Sequence, residues 1–288
     1  MSKRTKIANP GICFDRVIPD ELQPARAVAQ KTAVAKYVAA VRAGASMSQE
    51  KLLRSAKFQY HVKAMGALPA LNAFDPVSVF RMAVINQKKW ETGHTLRCRF
   101  LDGDPFQQKK VQEKAQIWGD YANIKIAFGS DANAEIRISF SADPGSWSAV
   151  GTDCLVSSYF PKYQPTMNFG WLRDDTADTE YERVVVHEFG HALGCIHEHQ
   201  SPNENLQWNV DAVYKSFSGP PNYWKKADID QNILEKYSPN GITASKFDED
   251  SIMLYQFPAS LFKNHTGTPL NQRLSDLDKQ MILEMYPK

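Results

Sequence analysis

The rhythm of apolar and polar positions changes along this chain, and each change marks an element. Residues 24–43, PARAVAQKTAVAKYVAAVRA, are rich in alanine, with a proline at the start and Gly44 just past the end. That punctuation predicts a helix, because proline suits the first turn and glycine the left-handed residue after the last. A second helix is predicted over about 48–66, closing at Gly66. Pro69 and Pro76 in GALPALNAFDP then break any period and mark a boundary at 67–78. Beyond it TLRCRFLDG alternates apolar and polar residues and ends in a turn, the pattern of a half-buried strand. Residues 107–122 predict a helix, IKIAF and AEIRISF two further strands, and PTMNFGW another short extended piece. Strands alternating with helices imply a mixed α/β layer. After residue 200, SPNENLQW, SGPPNYW and SPNGI predict loops, and a last helix is expected at about 275–285.

Composition narrows the class. The 288 residues are 43% hydrophobic and 23% charged, the balance of a globular protein with room for one large or two modest domains. No run of about 18 apolar residues occurs, so no membrane span is expected. A net charge of +2 gives no case for nucleic acid. The start is basic without the apolar run of a secretory signal, so a cytoplasmic or non-classically exported protein is expected. Four cysteines allow one disulfide and no disulfide framework. The charge is unevenly placed: residues 1–60 hold 11 Lys/Arg against 4 Asp/Glu, leaving 23 against 28 for the remainder. A basic leading segment precedes an acidic body.

The densest chemistry is HEFGHALGCIHEHQSP, residues 187–202, with four of the seven histidines in thirteen positions. Thr179 with Glu182 fits a capping box and predicts a helix from about residue 180. On that helix His187 and His191 stand about 40° apart, roughly 6 Å along the axis, so both imidazoles can grip one metal ion. Glu188 is rotated by about 100° from His187, which leaves it to chemistry and not to the grip. His197 would lie about 15 Å beyond His187 if the helix continued, so the chain must turn back. Gly194 can take the left-handed conformation that ends helices. Three neutral imidazoles then form a tripod with open positions, the arrangement of a catalytic zinc site. At average residue usage the whole pattern would arise by chance in about one chain in ten thousand.

His-Glu-x-x-His-x-x-Gly-x-x-His resembles the zinc signature of the metzincin metallopeptidases, and with His197-Glu198 it looks like the astacin branch. The resemblance covers roughly residues 80–288. SIMLY at 251–255 matches the astacin form of the Met-turn, with Met253 as the turn methionine. Trp90 and Gly93 ahead of a strand, GSWSAVG at 145–151 and LSDLDKQMILEMY as a closing helix agree in order. Ser201, Asn203 and Asn205 depart from the family, which usually has an arginine and aspartates there.

The resemblance implies an α+β metzincin-like zincin fold. An upper subdomain to about residue 196 would hold a twisted, mostly parallel sheet and the active-site helix. A lower irregular subdomain, 197–288, would end in the C-terminal helix. It further implies a monomeric zinc endopeptidase acting on protein or peptide, with Zn2+ held by His187, His191 and His197. Glu188 would be the general base, and Tyr255 a displaceable metal ligand that stabilises the transition state. Glu198 corresponds to the glutamate that meets the amino terminus of the mature enzyme. Residues 1–78 are expected to form a helical prodomain, with Cys13 or Asp15 of NPGICFDR as its inhibitory group at the metal. A zinc- and peptide-binding homologue without catalysis, or a metal-dependent hydrolase of another amide or ester, is the alternative. The retained Glu188 weighs against the former.

Overall fold

A computed structural model describes residues 88–142, 145–219, 222–237 and 246–288, together with the backbone strand at 14–16. The two helices predicted over 24–43 and 48–66, and the boundary at 67–78, lie outside the described residues. One mixed sheet carries the fold. Its strands are β1 (Phe14–Arg16), β2 (Thr95–Phe100), β3 (Lys125–Phe128), β4 (Ile136–Ser139), β5 (Trp147–Ala149) and β6 (Met167–Asn168), in the order β1-β5-β6-β4-β2-β3. All pairs are parallel except β5 with β6. β2 keeps the alternating exposure that its sequence predicts, whereas every residue of central β4 is buried. A parallel strand covered on both faces has no reason to alternate.

Two helices cover the sheet. Helix α1 (Pro105–Ala115) starts at a capping box in which Asp104 accepts from the Phe106 and Gln107 amides and Gln107 bonds back. It gives way to a 3-10 turn at Gln116–Asp120, short of the single helix predicted to 122. Helix α2 (Asp178–Ala192) packs against α1 and β5 and is buried over its whole second half. Its cap is not the predicted one. The N-cap is Ala177, without a side-chain bond, and Thr179 lies inside the first turn. Charge holds this end instead: Asp178 pairs with Lys110 and Lys114 of α1 at 2.7 and 2.6 Å, and Lys114 also meets Glu182 at 3.0 Å.

Among the described residues two apolar cores result. The larger joins the sheet, α1 and α2 to Ile252, Met253 and the closing helix. The smaller gathers Trp208, Val213, Phe217, Ile229, Ile233, Tyr255, Phe257, Leu261 and Phe262. Within the region expected to be loop, helices α3 (Val210–Ser218) and α4 (Lys226–Ile229) bury one face each in that second core, and α4 continues into a π-turn, Asp230–Leu234. The closing helix α5 (Asp276–Met285) begins at Ser275, which caps it with Asp278. None of the described helices is long and apolar enough to cross a membrane.

At the far end of α2 the chain must reverse, and the helix's last carbonyls would be orphaned there in an apolar core. Trp90 Nε1 donates to Ala192 O at 2.8 Å and the Tyr286 hydroxyl to Leu193 O at 2.6 Å, while the Trp90 amide donates to that hydroxyl at 3.2 Å. Residues about a hundred positions away on either side thus cap one helix end. Tyr286→Phe is expected to destabilise the fold by about 1–3 kcal/mol, the cost of an unmatched buried carbonyl. Thermal unfolding should show this as a drop of several degrees in Tm.

Candidate metal centre

The reversal after α2 is a Schellman turn. The Gly194 amide donates to His191 O at 2.8 Å and the Cys195 amide to Gly190 O at 2.9 Å, with Gly194 at φ +100°. This is the left-handed residue that ends a helix and that glycine adopts without a Cβ clash. The turn does more than stop the helix. It points the Cys195 carbonyl at His191, whose Nδ1 donates to it at 2.9 Å.

The chain then returns to bring His197 beside the other two. Nε2 of His187 lies 3.2 Å from that of His191 and 3.3 Å from that of His197, and the last two are 3.0 Å apart. Three ligands of a tetrahedral zinc with bonds of about 2.0–2.1 Å stand about 3.3–3.4 Å from one another, so this triangle is nearly of the size such an ion requires. His187 Nδ1 donates to Ile252 O at 2.8 Å, as His191 Nδ1 does to Cys195 O. A carbonyl acceptor places the proton on Nδ1 and leaves the Nε2 lone pair facing the cluster. Burial pushes the His187 imidazole well below its ordinary pKa, with the neighbouring His191 and His197 adding to the effect. Neutral imidazoles with converging lone pairs repel one another unless a cation joins them, so the donor set fits a zinc ion. Among the described residues these three form the one His/Cys/Asp/Glu group so arranged.

The Met-turn braces the triangle from below. Ile252 O receives His187, Met253 O accepts from the Glu198 amide at 3.0 Å, and the Met253 amide donates to Ser251 Oγ at 3.0 Å. Asp278 of α5 accepts from Ser251 Oγ at 2.7 Å and from the Ile252 amide at 2.8 Å. One carboxylate therefore caps α5 and pins the turn. The Met253 side chain passes under α2 at Gly190, where a Cβ would stand 2.5 Å from Sδ and 3.1 Å from the Trp118 ring.

Most of the expected site residues gather at this triangle. His187, His191 and His197 converge and are each at most 4% exposed. Glu188, 1% exposed, comes directly after the first ligand and is not one of the three. The Tyr255 ring packs on His197, with centroids 4.2 Å apart, and Met253 lies beneath. Asp15 belongs to β1 as backbone, while Cys13 lies outside the described residues. Ile252, Asp278 and Tyr286 fall inside the family-like motifs SIMLY and LSDLDKQMILEMY, but their bonds to the ligands, the Met-turn and the end of α2 were not signalled there, and Trp118, whose Nε1 donates to Val186 O at 2.8 Å, lay in no motif. Trp90 was visible only as part of a family-like pattern.

Comparison with known proteins agrees with this geometry. The Matrixin family model matches residues 89–207. Among solved structures, the structure of myroilysin is 41% identical over 71% of this chain and 98% of its own, with a TM-score of 0.68. A crystal structure of myroilysin is 38% identical over 77% of this chain and 100% of its own, at TM-score 0.56. High choriolytic enzyme 1, a hatching enzyme zinc-protease from the medaka fish Oryzias latipes, is 16% identical over 75% of this chain and 98% of its own, at TM-score 0.48. Curated protein sequences give no match. This chain belongs to the metzincin metalloproteases. As such it is a zinc-dependent protease with protein or peptide as substrate.

Gly190→Ala is expected to force Met253 away from α2. Overpacking of this kind costs about 1–3 kcal/mol. Zinc affinity, measured by chelator competition, should fall with Tm. An alanine variant with unchanged Tm and zinc affinity would show that the turn and the helix do not depend on that contact.

Proposed function

We propose that this chain is an astacin-type endopeptidase in which Glu188 is the general base and Tyr255 the oxyanion donor. The observation that carries the reading is the buried triangle of Nε2 atoms at 3.0–3.3 Å, with a carboxylate one residue after its first member. The Matrixin match ends at residue 207, before the Met-turn, so the choice of branch rests on Glu198 and on SIMLY at 251–255. Tyr255 two residues past Met253, with its ring against His197, supports the astacin branch. So does Glu198. Burial pushes its carboxyl up to about 7, partly offset by the Asp248 amide and reinforced by the charges of Asp248 and Asp278. An arriving ammonium group would pair with that carboxylate and offset the cost of burying its charge.

A zinc ion held by His187, His191 and His197 would supply Lewis acidity, lowering the pKa of a bound water towards neutral and polarising the scissile carbonyl. Glu188 takes a proton from the attacking water as its oxygen bonds to the carbonyl carbon. Tyr255 donates a hydrogen bond to the oxygen that gains charge in that step. Glu188 then passes the proton to the departing amine as the C–N bond breaks. Glu188→Gln keeps the shape and removes the base, and should lower kcat by about two to four orders of magnitude on a denatured protein substrate. Chelation should abolish cleavage and zinc restore it. Full activity of Glu188→Gln would sink the assignment.

Residues 1–78 are proposed as a prodomain. Two features support this: the charge contrast between a basic leading segment and an acidic body, and the pairing of β1 on β5. Phe14, Asp15 and Arg16 run parallel to Trp147, Ser148 and Ala149 and cover the edge of the sheet on that side. An extended peptide recognises such an edge by main-chain hydrogen bonds, so a strand of the leading segment there competes with substrate. Cys13 and Asp15 flank or form that strand and are the proposed inhibitory groups. Replacing both, Cys13→Ser with Asp15→Asn, should raise the initial rate of the full-length chain. No change in that rate would remove the two residues from the inhibitory role.

A further inference from the structure

Resting on the role proposed for Tyr255, we infer that His199 is a positioning residue that holds the Tyr255 ring in place. His199 stands two residues after the third ligand and is 1% exposed. Its ring centroid lies 5.0 Å from that of Tyr255 at 33°, and 5.3 Å from that of His197 at 28°. Phe257 meets it edge-on at 5.0 Å, and Trp208 does so at 6.3 Å. One imidazole thus packs at once against Phe257, Trp208 and Tyr255 of the smaller core and against the third ligand, His197.

The orientation of that imidazole is set from an unusual piece of backbone. In the π-turn Asp230–Leu234 the Glu235 amide reaches back five residues to Asp230 O at 2.8 Å. The carbonyls of a helix's last turn lack partners within the helix, and π-turns recur at functional sites. Here those carbonyls are taken by the segment after the third ligand. Asn232 O accepts from His199 Nε2 at 3.0 Å, and Gln231 O accepts from Gln200 Nε2 at 2.7 Å. The Gln200 carbonyl in turn accepts from the Tyr237 amide at 2.9 Å. A carbonyl partner places the proton on Nε2 and fixes the plane of the ring. The π-turn therefore sets the wall against which Tyr255 rests, and a tyrosine that must present its hydroxyl to a developing charge depends on that wall.

The test is a double-mutant cycle with His199→Phe and Tyr255→Phe in the full chain, after prodomain removal where the chain matures. kcat and KM are read on a peptide substrate, zinc affinity by chelator competition and folding by near-ultraviolet circular dichroism. His199→Phe keeps a ring of similar size and loses the bond to Asn232. It should lower kcat about tenfold, with KM and zinc affinity within about threefold, because all three ligands remain. On a Tyr255→Phe background the same change should cost less than about twofold, since the partner through which it acts is gone. His199→Gln, which keeps a donor near the Nε2 position and removes the ring, should lower kcat likewise and serves if the phenylalanine variant does not fold. Losses that multiply in the double variant, or a fall in kcat that tracks loss of zinc, would overturn the inference. So would an unchanged kcat in His199→Phe beside a slow Tyr255→Phe. A Tyr255→Phe enzyme at the wild-type rate would instead remove the role of Tyr255, and the inference with it.

Discussion

The passage of Met253 beneath Gly190 is the contact on which the centre depends. A Cβ on residue 190 would stand 2.5 Å from Sδ, so glycine there lets the Met253 side chain lie against α2 between its two histidines without shifting. This approach brings the Ile252 carbonyl to His187 and the Met253 carbonyl to the amide after His197. A turn held farther off would give up both bonds. The first and third ligands would then lose their common reference, and three lone pairs would no longer meet at one point.

The site is a junction of two cores rather than a pocket within one. His187 and His191 are carried by α2, which is packed in the larger core, while Tyr255 belongs to the smaller one. His197 lies on the segment that joins them. Asp278 ties the closing helix to the Met-turn, and Trp90 and Tyr286 tie the start and end of the described domain to the end of α2. Each of these ties reaches at least one backbone group, so main chain does much to set the geometry of the ligands. Burial adds to this at His187, whose imidazole it pushes well below its ordinary pKa and so favours the neutral form that a metal binds.

How much of this could be read from residues alone depends on the range of the interaction. The spacing of His187, His191, Gly194 and His197 is local, governed by helix pitch and one left-handed turn, and it was legible in full. Strands with an alternating or long apolar pattern, β2 and β3 among them, were legible for the same reason. β5 is three residues long, too short to show a period, and was recognised only within a family-like motif. The start of α2 was placed within two residues, but its cap was not, since Thr179 lies inside the first turn and the acidic groups there pair with lysines of another helix. Helix α3 was hidden by the turn-forming residues on either side of it. Ile252, Tyr286 and His199 lie within recognised motifs, but their roles were not legible there, since these are defined by partners far along the chain or by a π-turn that no pattern predicted.

Zinc K-edge X-ray absorption of the purified, metal-loaded protein tests the central claim most directly. Three imidazole nitrogens at about 2.0–2.1 Å with an oxygen donor and no sulfur are expected once any Cys13-containing segment is gone. Replacing His197 should remove one imidazole from that shell. A shell unchanged by that replacement, or one dominated by thiolate at about 2.3 Å in the trimmed protein, would contradict the account.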